Sequence, residues 1–280
     1  MSLIKHYPTI LSIAGSDSIG GAGIQADIKT ASALGVYAMT AITAVTAQNT
    51  SGVSMIQKIS PDVLKGQLEA IVSDINPDAV KIGMIPDRDS ALVISDFLNG
   101  HKFKAVVVDP VMVATSGDPL SEKGSLEILE QGILPYASVV TPNIPECETL
   151  SGTILRSSDD FPSAAEKIMT ETGCGSVLVK GGHNAENGVM TDYFLMKNGN
   201  KRMEMIFPHP EVRTKNTHGT GCTLSSAISS YLALGYDLLS SVRYGIDFIQ
   251  TALSEGADYE IGKGHGSVNH LFRIQNLSKQ

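Results

Sequence analysis

The chain has 280 residues and a formal net charge of −8, from 29 acidic against 21 basic side chains, which disfavours nucleic acid or an anionic membrane as partner and favours a small ligand. Three cysteines, far apart and without Cys-x-x-Cys spacing, argue against a disulfide framework or a zinc site and predict a reducing, cytoplasmic setting. No apolar run reaches the ~20 residues of a membrane span, and Thr9 to Ala14 is too short for the apolar core of a signal peptide.

Thr9 to Ala14 reads as a buried strand, and Ala22 to Leu34 carries helical spacing through Ile24, Ile28, Ala31 and Leu34. The loop between them, Gly15 to Gly23, lacks the Lys-Ser/Thr pair of a phosphate-binding P-loop. Its letters Gly21-Ala22-Gly23-Ile24-Gln25-Ala26 match a dinucleotide fingerprint, but the glycines lie too far past the strand, and no acid between Asp27 and Asp62 could hold a ribose. It reads as a loop whose backbone approaches a ligand closely, with Asp17 and Asp27 as candidate polar contacts. Equally, Asp27 reads as an ordinary acid of a first helical turn.

Met39 to Ala47 and Val53 to Ser60 flank the turn Gln48 to Gly52 as a hairpin that could act as a lid. A helix from Pro61 to about Ile75 follows, then a strand Ala79 to Ile82 ending at Gly83-Met84, a helix Ala91 to Leu98, and an apolar strand Ala105 to Val108 ending at Asp109. Helical spacing returns over Leu126 to Leu134. Ser138 to Thr141 is a strand running into Pro142-Asn143-Ile144-Pro145-Glu146, Ala164 to Thr172 a helix, and Val177 to Val179 a strand leaving through Lys180-Gly181-Gly182-His183. Val189 to Met196 and Lys201 to Phe207 form a hairpin around Asn198-Gly199. Two helices, about Cys222 to Leu234 and Asp237 to Ala257, precede a glycine-rich tail. With no repeat or break in composition, the pattern predicts one domain over 1–280, an α/β chain in three layers, α/β/α, with a mainly parallel sheet and antiparallel edges.

Asn216-Thr217-His218-Gly219-Thr220-Gly221-Cys222 stands directly before the first of those two helices. Small residues there leave the first helical N–H groups open to an anion, and the same field would favour a Cys222 thiolate. Read otherwise, the segment is a glycine-rich turn with Cys222 as small filler. Asp109, Glu146, Lys180 and Gly219 to Cys222 all fall at strand exits or helix starts, where parallel sheets gather their sites. Two acids able to hold Mg²⁺, a lysine and a backbone anion seat together describe phosphoryl transfer.

These residues also carry a resemblance. The segments Ala14 to Asp17, Gly20 to Asp27, Thr46 to Thr50, Lys81 to Met84, Asp109 to Met112, Thr141 to Glu146, Lys180 to His183 and Thr214 to Thr223 occur in the order found in one family. In them the chain resembles the hydroxymethylpyrimidine and phosphomethylpyrimidine kinases of thiamine biosynthesis, a branch of the ribokinase-like superfamily that also holds pyridoxal kinases. Ser18-Ile19 departs from the Pro-Ser of many members.

The resemblance implies a ribokinase-like fold with a small lid hairpin. It also implies ATP- and Mg²⁺-dependent phosphorylation of 4-amino-5-hydroxymethyl-2-methylpyrimidine and then of its monophosphate, with a monovalent cation as an optional addition. By the same resemblance Gln48 reads the aminopyrimidine edge, Ala22 and Val111 offer backbone contacts, Met84 packs on the ring, and Gly15 and Asp27 line the substrate site. Lys180, Thr217, Asn143 and Asp109 face the nucleotide, Glu146 with Asp109 holds Mg²⁺, and Gly219, Thr220, Gly221 and Cys222 carry the transfer. Cys222 stands where related sugar kinases have an aspartate base. A homodimer is expected. Pyridoxal kinase is the alternative within the class; a cysteine hydrolase pairing Cys222 with His218, or a non-catalytic binding module, lies outside it.

Overall fold

The computed structural model describes residues 5–114, 117–118, 120–122, 124–182, 188–199 and 201–273, with Asn198 described through its backbone alone. His183, at the end of the Lys180 motif, lies outside the described residues. In chain order the elements are β1 (Thr9–Asp17), α1 (Gly23–Ala33), β2 (Tyr37–Asn49), β3 (Gly52–Lys58), α2 (Pro61–Val72), β4 (Ala79–Ile82), α3 (Arg88–Gly100), β5 (Val106–Val108) and α4 (Ser125–Ile128). After α4 come β6 (Val139–Val140), α5 (Ile144–Ser151), α6 (Phe161–Thr172), β7 (Ser176–Val179), β8 (Val189–Asn198), β9 (Lys201–Pro210), α7 (Thr220–Ala233) and α8 (Leu238–Gly256).

Nine strands form one sheet in the order β3-β2-β1-β4-β5-β6-β7-β8-β9. Pairs from β2 through β7 are parallel, while β3 and the β8–β9 hairpin close the two edges antiparallel. The period of two along each strand sorts the core into layers. Leu11, Ile13, Val80, Ile82, Val106 and Val108 face α2 to α6, whereas Ile10, Val107, Val139 and Leu178 face α1, α7 and α8. The three-layer α/β/α reading holds.

Helix starts follow local chemistry. Ser60 is extended before Pro61 at the head of α2, and the side chains of Asp87 and Asp237 accept from Ser90 N and Ser240 N. Three departures from the sequence reading have physical causes. β1 runs on to Asp17, because a bulge between Ala14 and Ser16 keeps it paired with β2. The stretch predicted as one helix from Leu126 breaks into α4 and a π turn at Leu129–Ile133, where bare Gly132 lets Ser95 approach: a Cβ there would stand 2.5 Å from Ser95 Oγ. Finally, α5 rises where the sequence reading assigned no element, on a capping box in which Asn143 Oδ1 accepts from Glu146 N and Glu146 Oε2 accepts from Asn143 N.

The chain leaves β1 toward β2 on one side and resumes at β4 on the other, so the strand order reverses between β1 and β4. Open α/β sheets place ligands in the crevice at such a point, beyond the carboxyl ends of the strands. No helix among the described residues is long and apolar enough to cross a membrane.

Candidate active site

The crevice between β1 and β4 has a floor of bare backbone. A Cβ on Gly15 would meet Met84 Sδ at 2.8 Å, and one on Gly83 would meet Lys81 Nζ at 2.8 Å and Ala14 Cβ at 3.2 Å. Opposite stands the first turn of α7, where Gly219 takes φ 82°, a left-handed conformation that favours glycine. Its place is doubly fixed, because a Cβ there would lie 1.9 Å from Gly21 O. Thr220 N–H donates to Thr217 O and Thr223 N–H to Gly219 O, which leaves Gly221 and Cys222 between them as the donors available to an anion.

The two glycine loops are joined through Asp17. Its Oδ2 accepts from Gly21 N, Ala22 N and His218 Nε2 at 2.9, 2.9 and 2.8 Å, and Oδ1 accepts from Ile19 N at 3.1 Å. Burial alone would raise the Asp17 carboxyl, yet His218 and the backbone donors outweigh it and hold it below the usual carboxylate value. His218 is therefore committed to Asp17, and the Cys222–His218 dyad of a cysteine hydrolase is not formed. The thiol also departs from expectation: burial pushes it up to about 11, with Lys81 pulling it down and Asp27 and Asp109 adding to the rise. The field at the start of α7 does not produce a ready thiolate.

In front of α7 lies the charged group expected from the strand exits. Lys180 Nζ stands 2.8 Å from Asp109 Oδ1 and 3.9 Å from Glu146 Oε2. A Cβ on Gly221 would come within 3.1 Å of Asp109 Oδ2 and 3.3 Å of Lys180 Nζ, so the anion seat abuts this pair. Burial and the charge of Asp109 push Glu146 up to about 7, with Lys180 opposing. Lys180 itself is raised: burial would lower it, and Asp109 and Glu146 more than offset that.

Several assignments change here. Asp109 is 1 % exposed; its Oδ1 accepts from Lys180 and Thr141 and its Oδ2 lies 3.4 Å from Ser225 Oγ, so it anchors the lysine from a buried position. The side-chain oxygen of Asn143 is spent capping α5. Asp27 is fully buried against Lys81, Ser12 and Ser226, which removes it from the substrate surface. Ala22 gives its N–H to Asp17 and its carbonyl to Ala26 N, so its expected backbone contact would have to be shared.

Met84 lies at the crevice, whereas Gln48 and Val111 line two separate depressions. Met84 sulfur lies over Gly15, and Met84 O accepts from Thr43 Oγ1 on β2. On the same strand Thr46 donates to Gln48 Oε1 at 3.0 Å, which orients that amide at the edge of an open depression of about 570 Å³ shared with Ser18 and Met55. Val111 and Gly83 line a second, smaller cavity of about 160 Å³. Thr217 is half-buried beside the anion seat. The hairpin of β2 and β3 stands over this side, its turn tied down where Thr50 Oγ1 accepts from Lys263 N and Gly264 N.

Lys81 was missed as a functional residue. Its signal was a lysine within the wholly buried strand Ala79-Val80-Lys81-Ile82, a place where charge is rare without a partner.

Comparison with known proteins places these features in a lineage. The family described as phosphomethylpyrimidine kinase matches residues 17–269. A hydroxymethylpyrimidine/phosphomethylpyrimidine kinase of Rhizobium meliloti is 45% identical over 264 residues, 94% of this chain and 97% of that protein. A probable thiamine biosynthetic bifunctional enzyme of rice is 44% identical over 96% of this chain, which spans 48% of the rice protein, about half its length. Among solved structures, the phosphomethylpyrimidine kinase of Clostridium difficile superposes with TM-score 0.76 at 42% identity, covering 88% of this chain and 99% of that one. The ADP complex of Bacillus subtilis pyridoxal kinase gives 0.86 at 33% identity, covering 96% and 99%.

The Asp17 clamp yields a pH test. A depressed carboxyl contributes stability above its unfolded value of 3.8 and loses that contribution as pH falls through the folded value. Asp17→Asn should cost ~1–3 kcal/mol near neutrality, the usual penalty for buried donors left poorly paired. Urea unfolding of both proteins should show the gap narrowing as pH drops below that range; a gap independent of pH would contradict the clamp.

Proposed function

The chain belongs to the phosphomethylpyrimidine kinase family, and from that membership we propose that it transfers the γ-phosphoryl group of ATP to 4-amino-5-hydroxymethyl-2-methylpyrimidine and then to the resulting monophosphate. One observation carries the reading: the first turn of α7, with the N–H groups of Gly221 and Cys222 open, abuts the Lys180–Asp109 pair at Gly221 and packs on the loop after β1 at Gly219. Phosphate and alcohol can meet there. Gln48 reads the amine and ring nitrogen of the pyrimidine, since its amide offers one acceptor and two kinds of donor position. Met84 covers the ring, Gly15, Ala22 and Val111 bound it with backbone, and Thr217 with Lys180 faces the nucleotide.

In the first reaction the substrate's hydroxyl oxygen bonds to the γ-phosphorus. The bond from that phosphorus to the β–γ bridging oxygen breaks, its electron pair leaves with ADP, and the hydroxyl proton passes to Cys222 in the minor fraction of enzyme whose raised thiol is ionised. Gly219 to Cys222 and Lys180 hold the phosphate charge as it shifts. Glu146 fits a Mg²⁺ ion, because with Asp109 it makes two buried carboxylates facing a single ammonium, and burial first, then the charge of Asp109, pushes it up to about 7. Among the described residues no cage of three or more His, Cys, Asp or Glu forms, as suits an ion held by one carboxylate plus substrate phosphates. Bound there, Mg²⁺ would neutralise phosphate charge. Pyridoxal is the second acceptor considered, on the strength of the fold shared with the Bacillus subtilis enzyme; the higher identity to the pyrimidine kinases ranks it second.

We also place the enzyme in the cytoplasm as a homodimer. Val45 and Met55, 42 % and 67 % exposed, share one face of the β2–β3 hairpin with Ala47, and a second copy would cover it. Sedimentation velocity should show a dimer at micromolar concentration, and a purely monomeric boundary would remove this assignment.

The two steps differ in their need for a base. A hydroxyl must lose its proton, whereas the monophosphate, with a second pKa of about 6, already presents an ionised oxygen at pH 7.5. Cys222→Ala should therefore slow the alcohol step roughly 100- to 10,000-fold, the usual worth of a general base, and largely spare the monophosphate step and the KM for ATP. Equal losses in both steps, or none, would take the proton-acceptor role from Cys222.

A further inference from the structure

Lys81 and Asp27 form an ion pair with both side chains at 0 % exposure, Nζ lying 3.0 Å from Oδ1 and 2.9 Å from Oδ2. Two charges taken wholly out of water recover little net stability, and an apolar pair of similar volume would serve a core strand as well. The lysine is explained by what its charge reaches. Its Nζ lies directly under the bare Cα of Gly83 in the floor of the crevice. Ser226, one turn beyond Cys222 on α7, donates to Asp27, so the helix face that carries Cys222 looks onto the pair. Asp27 also accepts from Ser12 Oγ, so hydroxyls and ammonium together satisfy its carboxylate, while Lys81 keeps a third N–H beyond its two bonds to Asp27.

We propose that Lys81 is the positioning cation of Cys222: held by Asp27, it stabilises the thiolate that accepts the substrate's hydroxyl proton. This rests on the reading of Cys222 as that acceptor. The charged groups acting on the thiol are Lys81 from β4, Asp27 from α1, Asp109 from β5 and Lys180 from β7, with the Gly23 backbone beside them. Of these Lys81 is the strongest influence working against burial, and Asp27 and Asp109 work with burial. Lys81 itself is raised: burial would lower it, and Asp27 together with the charges of Cys222 and Asp109 more than offsets that, so it remains an ammonium across the range where the thiol titrates.

The test uses the alkylation rate of Cys222 by iodoacetamide against pH, read by peptide mass spectrometry so that the buried Cys147 and Cys174 are scored separately. The double variant Lys81→Met with Asp27→Asn is neutral and leaves no orphan charge, and thermal melting verifies that it is folded. Wild-type alkylation should rise with pH toward a midpoint of about 11. In the double variant the curve should move up, with slower alkylation at any pH below the midpoint, because the removed Lys81 influence is larger than the removed Asp27 influence. A folded double variant with the wild-type curve overturns the proposal. If Cys222→Ala kept full alcohol-kinase activity while these curves shifted as stated, the catalytic half of the proposal would fall and the electrostatic coupling would be supported.

Discussion

The carboxylate of Asp17 is the contact on which the site depends. At the exit of β1 it gathers three backbone N–H groups and the His218 ring, and so presses the loop after β1 against the segment that opens α7. Only glycine fits the seam. A Cβ on Gly21 would lie 2.4 Å from the His218 ring, and one on Gly23 would lie 2.2 Å from Gly15 O. Residues about 200 positions apart in sequence thus pack together, the His218 ring on the Asp17 carboxylate and the Gly219 backbone on the Gly21 carbonyl. Proximity of that kind is most of what phosphoryl transfer asks of a protein.

Charge is layered around the seam. Beneath the start of α7 the Lys81–Asp27 pair is sealed from water, and in front of it Lys180 is held by Asp109 at 15 % and 1 % exposure. Exposed pairs such as Lys65–Glu69 contribute only ~0.3–0.5 kcal/mol and are screened by salt. The buried pairs act differently, because in a low-dielectric setting each charge is felt by its neighbours at nearly full strength. That is why the Cys222 thiol, at a helix start that ought to favour its anion, rises to about 11: burial outweighs the helix field, and the lysine beneath recovers part of the loss.

Much of this was legible in the chain. Apolar runs ending in Asp109, Glu146 and Lys180 placed the strand exits, and the periodicity after Cys222 placed α7, because buried parallel strands and amphipathic helices write their packing into period and length. Asp27 was misplaced for an equally physical reason. A helical acid four residues past a glycine looks the same in sequence whether it faces solvent or a lysine 54 positions later, and only the fold brings Lys81 under it. The α5 capping box, Asn143 with Glu146, was present in the letters, but two prolines within five residues mask the helical spacing that would mark the helix. The pairing of His218 with Asp17 could not be read at all, since nothing local ties positions 17 and 218.

The central claim is that the β1–β4 crevice selects an aminopyrimidine alcohol through Gln48 and delivers it to phosphate seated on α7. It is tested most directly by kcat/KM for the pyrimidine alcohol and for pyridoxal, measured as ADP release by the wild-type enzyme and by Gln48→Ala. The account predicts that the wild type prefers the pyrimidine. The variant should lose roughly 5- to 150-fold on that substrate, the equivalent of ~1–3 kcal/mol for an unpaired buried amine, with the KM for ATP unchanged. A wild-type enzyme that turned over pyridoxal in preference to the pyrimidine, or a variant with undiminished pyrimidine kcat/KM, would contradict it.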